Sequence, residues 1–567
     1  MGQSVDVAEV LQLVAWFRNI ARNDVGGVPI DAPSWHHRDF IPVASKAIKE
    51  ASAKISKLGF CQQRIWKVVR HGHDGVLELV PLVNALKHLP QLIHEGHKSC
   101  TSGFCEYAAL NFTSVEQLHK CRSKSCVTTT DEMFNQSHLV AALKGRTITT
   151  AWALDGRSLV AKGKSYLALS HVWSDGTGAG KWKAGQVNKC LWEFLVDTAR
   201  YLGCDGVWWD TVCIPQDKEA RSIALNNMHH NYAAAQYTVV HDQYLANIEW
   251  KSDGSPCIAL VLSPWFTRGW TALELLLSKR VFILFRQGKE YILKDLDKEV
   301  LAQHRFLHSH AHWIATDAVM RLRQAGNTFD SASDLLSILE ARYTSWSRDQ
   351  SIIAGLMCGL RDHVTLSEQD ITKRVLLKIG YISQNCLLHG LPTMSDPEFS
   401  WCPPRFVDIP PGGDSPRLSI NADGTLSGRW EIWYIPSKAF VDRGTIWPLS
   451  TDMCVQTQVQ WTLQEPEKCV ILTCNIYNSQ GLLVRLKAFT DWPQKDILYC
   501  QFIGAVKISP SEIRKARYHI MRDVVIGYKP GMVDVEVVDW ERNDRQYKSD
   551  KALADARQEG SLPVFVV

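Results

Sequence analysis

Glu274 is the side chain in this sequence that chemistry would recruit first. It follows Trp270 by four residues, so on a helix the two share a face. A carboxyl group beside an indole is poorly hydrated, which raises its pKa. Such a group can steady a developing positive charge. A plainer reading stands beside this one: Thr271-x-x-Glu274 has capping-box spacing, and Arg268 or Lys279 can neutralise the carboxylate. Further polar groups sit just after apolar runs. Ser174 and Asp175 follow Tyr166–Trp173, Asp210 ends Gly206–Asp210, and Asp242 ends Tyr237–Asp242. Asp210 is either a site carboxylate or the anchor of the turn that follows. The loop from Asp175 to Gly180, with Gly176, Gly178 and Gly180, is either a phosphate cradle or a flexible turn. It lacks the Lys-Ser/Thr of a P-loop and the dinucleotide fingerprint. Ser170 and His171 fall inside the first run and read as core residues, and Cys213 lacks a His/Asp relay.

A second cluster is made of thiols. His97 precedes Cys100-x4-Cys105, and His119 precedes Cys121-x4-Cys126. Paired thiolates and imidazoles at short spacing suit tetrahedral zinc, and the four cysteines Cys100, Cys105, Cys121 and Cys126 are the favoured set among six candidates. Free or buried thiols are the alternative. His304, His308 and His312 share one helical face, but no carboxylate or thiol completes a metal set, so a solvated or interface face is expected.

The elements that position these groups follow from patterning. Five apolar runs, Tyr166–Trp173, Gly206–Asp210, Tyr237–Asp242, Ile258–Leu262 and Arg280–Phe285, alternate with helical stretches. This predicts a parallel sheet covered by helices on both faces, with ligands beyond the carboxyl ends of the strands. Ser263-Pro264 is the expected start of the Glu274 helix, weakened at Gly269. Residues 1–160 read as a helical and Cys/His leader, with helices over Val5–Asn23 and Ala44–Leu58; 161–290 as the α/β domain; 291–395 as helical, with His304–His312, Asp330–Ser347 and Ser351–Leu360. After a Pro/Gly boundary at 403–416, residues to 567 read as β-rich. Strands are expected at Trp430–Ile435, Val455–Leu463, Val470–Tyr477, Leu482–Phe489, Ile497–Val506, Val524–Tyr528, Val533–Trp540 and Val564–Val567, arranged as a sandwich.

Four ordered blocks carry a family resemblance: Leu169-Ser170-His171-Val172-Trp173; Trp209-Asp210-Thr211-Val212-Cys213-Ile214-Pro215-Gln216-Asp217; Met228 with Tyr232-Ala233-Ala234-Ala235; and Arg268-Gly269-Trp270-Thr271-Ala272-Leu273-Glu274. Together they resemble the fungal heterokaryon incompatibility (HET) domain. Tyr is usual at His171, Asn at Pro215 and Leu-Gln at Ala272-Leu273. The resemblance implies allorecognition and programmed cell death. More distantly, Ser263–Leu275 and the strand order resemble Toll/interleukin-receptor (TIR) domains. That likeness implies a TIR/flavodoxin-like sheet, with Glu274 as the carboxylate of an NAD glycohydrolase. Ser174, Asp175, Gly176, Asp210 and Trp270 would then line the NAD site. NAD is the substrate in that reading, no cofactor is required, and zinc would be structural. The alternative is a non-enzymatic signalling or oligomerisation module in which Glu274 is structural. Self-association or an incompatibility partner is the implied interaction.

Bulk properties narrow the field. A net charge of +4 over 567 residues gives no argument for nucleic acid. No stretch approaches the roughly 20 apolar residues of a membrane helix, and no secretory h-region opens the chain. Sixteen cysteines in a chain of this length then read as reduced thiols, and the expected location is cytoplasmic. Gly2 follows Met1 as in an acylation signal, but Asp6 replaces the expected Ser/Thr.

Overall fold

In the computed structural model, a mixed α/β protein, residues 48–537 are described apart from short internal segments. The longest of these are 72–78, 91–99, 107–113, 179–184, 303–309, 361–365, 474–479, 490–496 and 510–519. The helix expected at Val5–Asn23, Gly2 and the strand expected at Val564–Val567 lie outside the described residues. The chain forms two compact units. One takes residues up to 327 with 338–357 and 361–364; the other takes 328–337, 358–360 and 365 onward.

The first unit is organised by six strands in the order β1-β3-β2-β4-β5-β6: β1 Trp152–Ala153, β2 Leu167–His171, β3 Gly206–Trp208, β4 Tyr237–His241, β5 Val281–Gln287 and β6 Glu290–Asp295. The four central strands are parallel; β1 and β6 close the edges antiparallel. Every residue of β2 and β3 is buried, as expected of strands covered on both faces. Registers Ser170↔Val240 and His171↔His241 bring the ends of β2 and β4 level. The helix Lys189–Tyr201 follows β2, and the helices Lys218–Asn226 and Met228–Ala234 follow β3. Four fully buried tryptophans, Trp152, Trp208, Trp209 and Trp265, fill the layers. Trp152 donates its Nε1–H to the Val212 carbonyl at 3.1 Å and meets Phe134 edge to face, and Trp208 packs likewise on Tyr232.

Four expectations for this unit fail for physical reasons. Ile258–Leu262 is not a strand but the end of the helix Ser255–Leu262. Residues Pro256 to Leu262 are all buried, so no amphipathic period separates helix from strand; Gly254 at φ 79° and Pro256 in the first turn are what start the helix. Ser263 closes that helix instead of opening the next, which spans Gly269–Leu277. Gly269 is not a weak point inside it but its first residue. A Cβ there would stand 2.5 Å from Thr344 Cγ2, because the Gly269 N–H bonds the Tyr343 carbonyl at 2.8 Å. Residues 290–295, expected to be helical, complete the β5–β6 hairpin instead.

The second unit contains a closed ring. Strands β7 Tyr381–Ser383, β8 Arg417–Ile420, β9 Leu426–Tyr434, β10 Ile446–Pro448, β11 Cys469–Thr473, β12 Gln480–Ala488, β13 Ile497–Ile508, β14 Ile520–Ile526 and β15 Val533–Asp534 form one sheet. β9, β11, β12 and β13 pair antiparallel in turn, and β14 lies parallel to β13 and antiparallel to β9. The result is a five-stranded barrel, where a sandwich was expected; closure leaves those strands without free edges. The strand expected at Val455–Leu463 is the helix Met453–Thr462. The Asp452 side chain caps it, and the buried residues Val455, Val459 and Thr462 follow helical spacing, which the alternating Gln456, Gln458 and Gln460 masked.

Gly206 begins β3 where any side chain would collide with Val160 and the Trp152 carbonyl. Gly206→Ala is expected to destabilise the protein by about 1–3 kcal/mol, the usual cost of overpacking. Urea denaturation would show this as a lower midpoint at unchanged slope.

Candidate functional site

The carboxyl ends of β2, β3 and β4 gather an array of ionisable side chains with little access to water. His171, at the end of β2, places Nε2 2.7 Å from Asp210 Oδ1 and Nδ1 2.9 Å from Thr177 Oγ1. Asp210 also accepts the Trp173 indole N–H at 2.9 Å and the Thr211 hydroxyl at 3.1 Å. Burial works against the Asp210 carboxylate, yet His171 and these donors bring its pKa down to about 2. Burial likewise disfavours protonated His171, but Asp210 outweighs it and raises the pKa. Each group thus favours the charged form of the other, with side-chain exposures of 2 % and 19 %.

Asp175 and Asp242 anchor chain turns. Asp175 accepts the Thr177 N–H at 3.0 Å and the Gln243 N–H at 2.9 Å, and it stands 3.5 Å from buried His241. These donors hold it ionised against its burial. Asp242 caps the turn Gln243–Ala246 through Tyr244 N–H and Leu245 N–H, and accepts the Trp265 N–H at 2.8 Å. Desolvation, with Asp175 nearby, still lifts its pKa to about 7.

Glu274 is 5 % exposed. It neither caps its helix nor meets Arg268 or Lys279; it accepts a short hydrogen bond from the Ser170 hydroxyl. Ser170 in turn accepts the Trp265 indole N–H at 2.6 Å. Desolvation raises the Glu274 pKa to about 7, and the Asp210 charge adds to the rise. Trp270 does not stand over this carboxylate: its indole N–H bonds Asp349 Oδ2 at 2.9 Å, on the helix Ser347–Met357. The desolvation of Glu274 accompanies its burial, with Trp265 bonded to the same Ser170 hydroxyl.

The glycine-rich turn packs against the leader. Gly176 has φ 86°, and a Cβ there would stand 2.6 Å from the Glu116 carbonyl oxygen and 2.9 Å from Leu118 N. The Gly176 carbonyl accepts the Leu118 N–H at 2.7 Å, and the Gly178 carbonyl accepts the Gln117 side-chain N–H at 3.1 Å. Residues 116–118 thus occupy the space beside Ser174–Gly178; Ala179 and Gly180 lie outside the described residues.

The four expected zinc cysteines do not form one group. Cys121 and Cys126 assemble with His119 and Cys190, while Cys100 and Cys105 assemble with Cys61. Both groups have the spacing of a metal site. His97, His304 and His308 lie outside the described residues, and His312 is buried against Gly254 instead of facing solvent or a partner.

Residues 166–245 match the family model described as Heterokaryon incompatibility protein (HET). The chain carries a HET domain. No curated protein and no solved structure matches. The matched segment of the HET domain holds β2, β3 and β4 and therefore His171, Asp175, Asp210 and Asp242. Glu274 lies beyond the match, yet its side chain is bonded to Ser170 inside it. Sequence reasoning passed over Ser170, His171 and His241, because a polar residue in an apolar run reads as core. Their signal was position: all three close parallel strands. Arg342, buried and bonded to Thr271 Oγ1 and the Arg268 carbonyl at 3.0 Å each, had no local signal. Among the described residues, no helix is long and apolar enough to cross a membrane.

The Glu274 shift has a definite sign. A carboxyl whose folded pKa is raised from 4.5 to about 7 adds stability fully present below about pH 4.5, and this is lost as pH rises through 7. The protonated carboxyl of Glu274 is thus the form that the fold prefers. Glu274→Gln is expected to remove about 3 kcal/mol of the stability difference between pH 5 and pH 8. Denaturant unfolding at the two pH values reads it directly; Asp242, shifted the same way, maintains a residual slope.

Proposed function

We propose that this protein acts in heterokaryon-incompatibility-type allorecognition and cell death, and that its HET domain hydrolyses NAD at the carboxyl ends of the parallel strands. The observation that carries the catalytic part is the split between two carboxyl groups of one network: Asp210 drawn down to about 2 and Glu274 pushed up to about 7. Carboxyls driven apart in this way are a recurring arrangement where glycosidic bonds are cleaved. The parallel order β3-β2-β4-β5 supports a flavodoxin-like, TIR-related sheet, whose ligands sit beyond the strand ends. In the reaction, the bond between the nicotinamide nitrogen and ribose C1′ breaks and its electron pair leaves with nicotinamide. Water then adds to C1′ and releases a proton, giving ADP-ribose. Ionised Glu274 would steady the oxocarbenium-like charge at C1′ or hold the ribose hydroxyls, with Ser170 positioning it. Ser174, Asp175, Gly176 and Asp210 would line the site, and Trp270, tied to Asp349, would brace the helix that carries Glu274. Substrate entry requires the Ser174–Gly178 turn to part from residues 116–118. The chain would work in the cytoplasm, by self-association or with an incompatibility partner.

The low exposure of Glu274 and its bond to Ser170 favour a second reading. Here the HET domain is a signalling module, and the polar network sets its conformation without catalysis. NAD consumption by the purified full chain, under dilute and crowded conditions, separates the two. The hydrolase reading expects nicotinamide release from wild type and at least about a hundredfold less from Glu274→Gln, a typical scale for losing one charge-stabilising group, at an unlowered melting temperature. Equal release from both, or none from wild type in any assembly state, leaves the signalling module.

A further inference from the structure

We propose that His119, Cys121, Cys126 and Cys190 form a closed structural zinc site that fastens the leader to the start of the first crossover helix. The pairing register creates the site. Thr128 and Asn188 form an antiparallel bridge, flanked by the Thr129 N–H to the Val187 carbonyl at 2.8 Å and the Lys189 N–H to the Val127 carbonyl at 3.1 Å. In that register, Cys126, two residues before Thr128, falls opposite Cys190, two residues after Asn188. A turn at Cys121–Lys124, with Lys124 at φ 51°, folds the preceding segment back so that Cys121 and His119 reach the same point.

The distances fit the ion. His119 Nδ1 stands 3.3 Å from Cys126 Sγ and 3.8 Å from both Cys121 Sγ and Cys190 Sγ. The four ligand atoms all lie within 4.8 Å of one another. Tetrahedral zinc with Zn–S of about 2.3 Å and Zn–N of about 2.0 Å sets the N···S edges at about 3.5 Å and the S···S edges at about 3.8 Å. Three thiolates and an imidazole are soft donors that select zinc over oxygen-seeking calcium or magnesium. Second-layer donors point at the sulfurs: the Lys120 N–H reaches Cys190 Sγ at 3.1 Å, and the Ser123 hydroxyl lies 3.7 Å from Cys121 Sγ. Such donors are the usual support of thiolate ligands. Four protein ligands leave no open position, so the site is structural.

This inference is independent of the NAD reading. Cys190 is the second residue of the helix Lys189–Tyr201, and residues 116–118 between the cysteine groups hold the Ser174–Gly178 turn. The metal would therefore tie the C-terminal flank of residues 116–118 to the start of that helix.

Metal analysis of the full-length protein, purified without chelators, tests it alongside Cys190→Ser, Cys121→Ser and Cys61→Ser. The expected result is one equivalent of zinc lost from both Cys190→Ser and Cys121→Ser and none lost from Cys61→Ser. Cobalt exchanged into the wild type should give the intense absorption of a tetrahedral thiolate site, reduced by one equivalent in those same two variants. If Cys190→Ser fails to fold, Cys121→Ser and the wild-type cobalt spectrum decide. Wild type without metal or cobalt signal, a Cys126–Cys190 disulfide in the isolated protein, or the same metal content in all four proteins overturns the proposal.

Discussion

A buried charge is tolerable only beside a partner, and the first unit of this protein is laid out to meet that condition. His171 and Asp210 bond across the ends of neighbouring parallel strands, and removing His171 alone would strand the Asp210 carboxylate in a medium that solvates it poorly. Strand register follows from this pairing as much as from apolar packing. A one-residue slip of β2 would turn His171 to the opposite face and bring the flanking Val172 or Ser170 to its place. The neighbouring carboxyls obey the same condition differently. Asp175 collects amide donors and stays ionised, whereas Glu274, despite the Ser170 hydroxyl, is pushed toward its neutral form by desolvation and by the nearby Asp210 charge. Three chemically similar groups, Asp210, Asp175 and Glu274, thus differ in their preferred form: a histidine faces each aspartate, while Glu274 has the charge of Asp210 nearby.

The leader is part of this arrangement. Gln117 reaches the Gly178 carbonyl and accepts a short hydrogen bond from the Asn188 N–H, while Asn188 returns a side-chain N–H to the Gln117 carbonyl at 3.1 Å. Gly176 is glycine because backbone passes where its Cβ would be, so packing alone already requires it. The HET match begins at residue 166, yet the turn it contains is shaped by Gln117, 61 positions before Gly178 in the chain.

Much of this was legible in the sequence, and the failures are instructive. The strands β2, β3, β4 and β5 were found because apolar runs bounded by polar turns leave few alternatives. Ile258–Leu262 was misread because a helix buried on all sides has no polar face to give it a period. Met453–Thr462 was misread because its exposed glutamines alternate while its buried residues do not. Asp175, Asp210 and Glu274 were identified singly from position, but their linkage through Thr177, His171 and Ser170 depends on strand register, which no local pattern encodes. Cys190 escaped for the same reason: it lies far from Cys121 and Cys126 in sequence and meets them only through the bridge at Asn188.

The barrel of the second unit has a different implication, for the order in which the chain can fold. Its ring is completed only when β14, residues 520–526, lies between β13 and β9, residues 426–432. During synthesis β9 must wait for nearly the whole unit to emerge, and the closing pair spans a long loop whose entropy is spent before the contact forms. Until then β9 and β13 expose unpaired backbone edges of apolar strands, which readily recruit strands from other chains. A ribosome that stops short of residue 526 would therefore release an open sheet prone to edge-to-edge association, which makes β14, the last long strand among the described residues, the one that seals the ring.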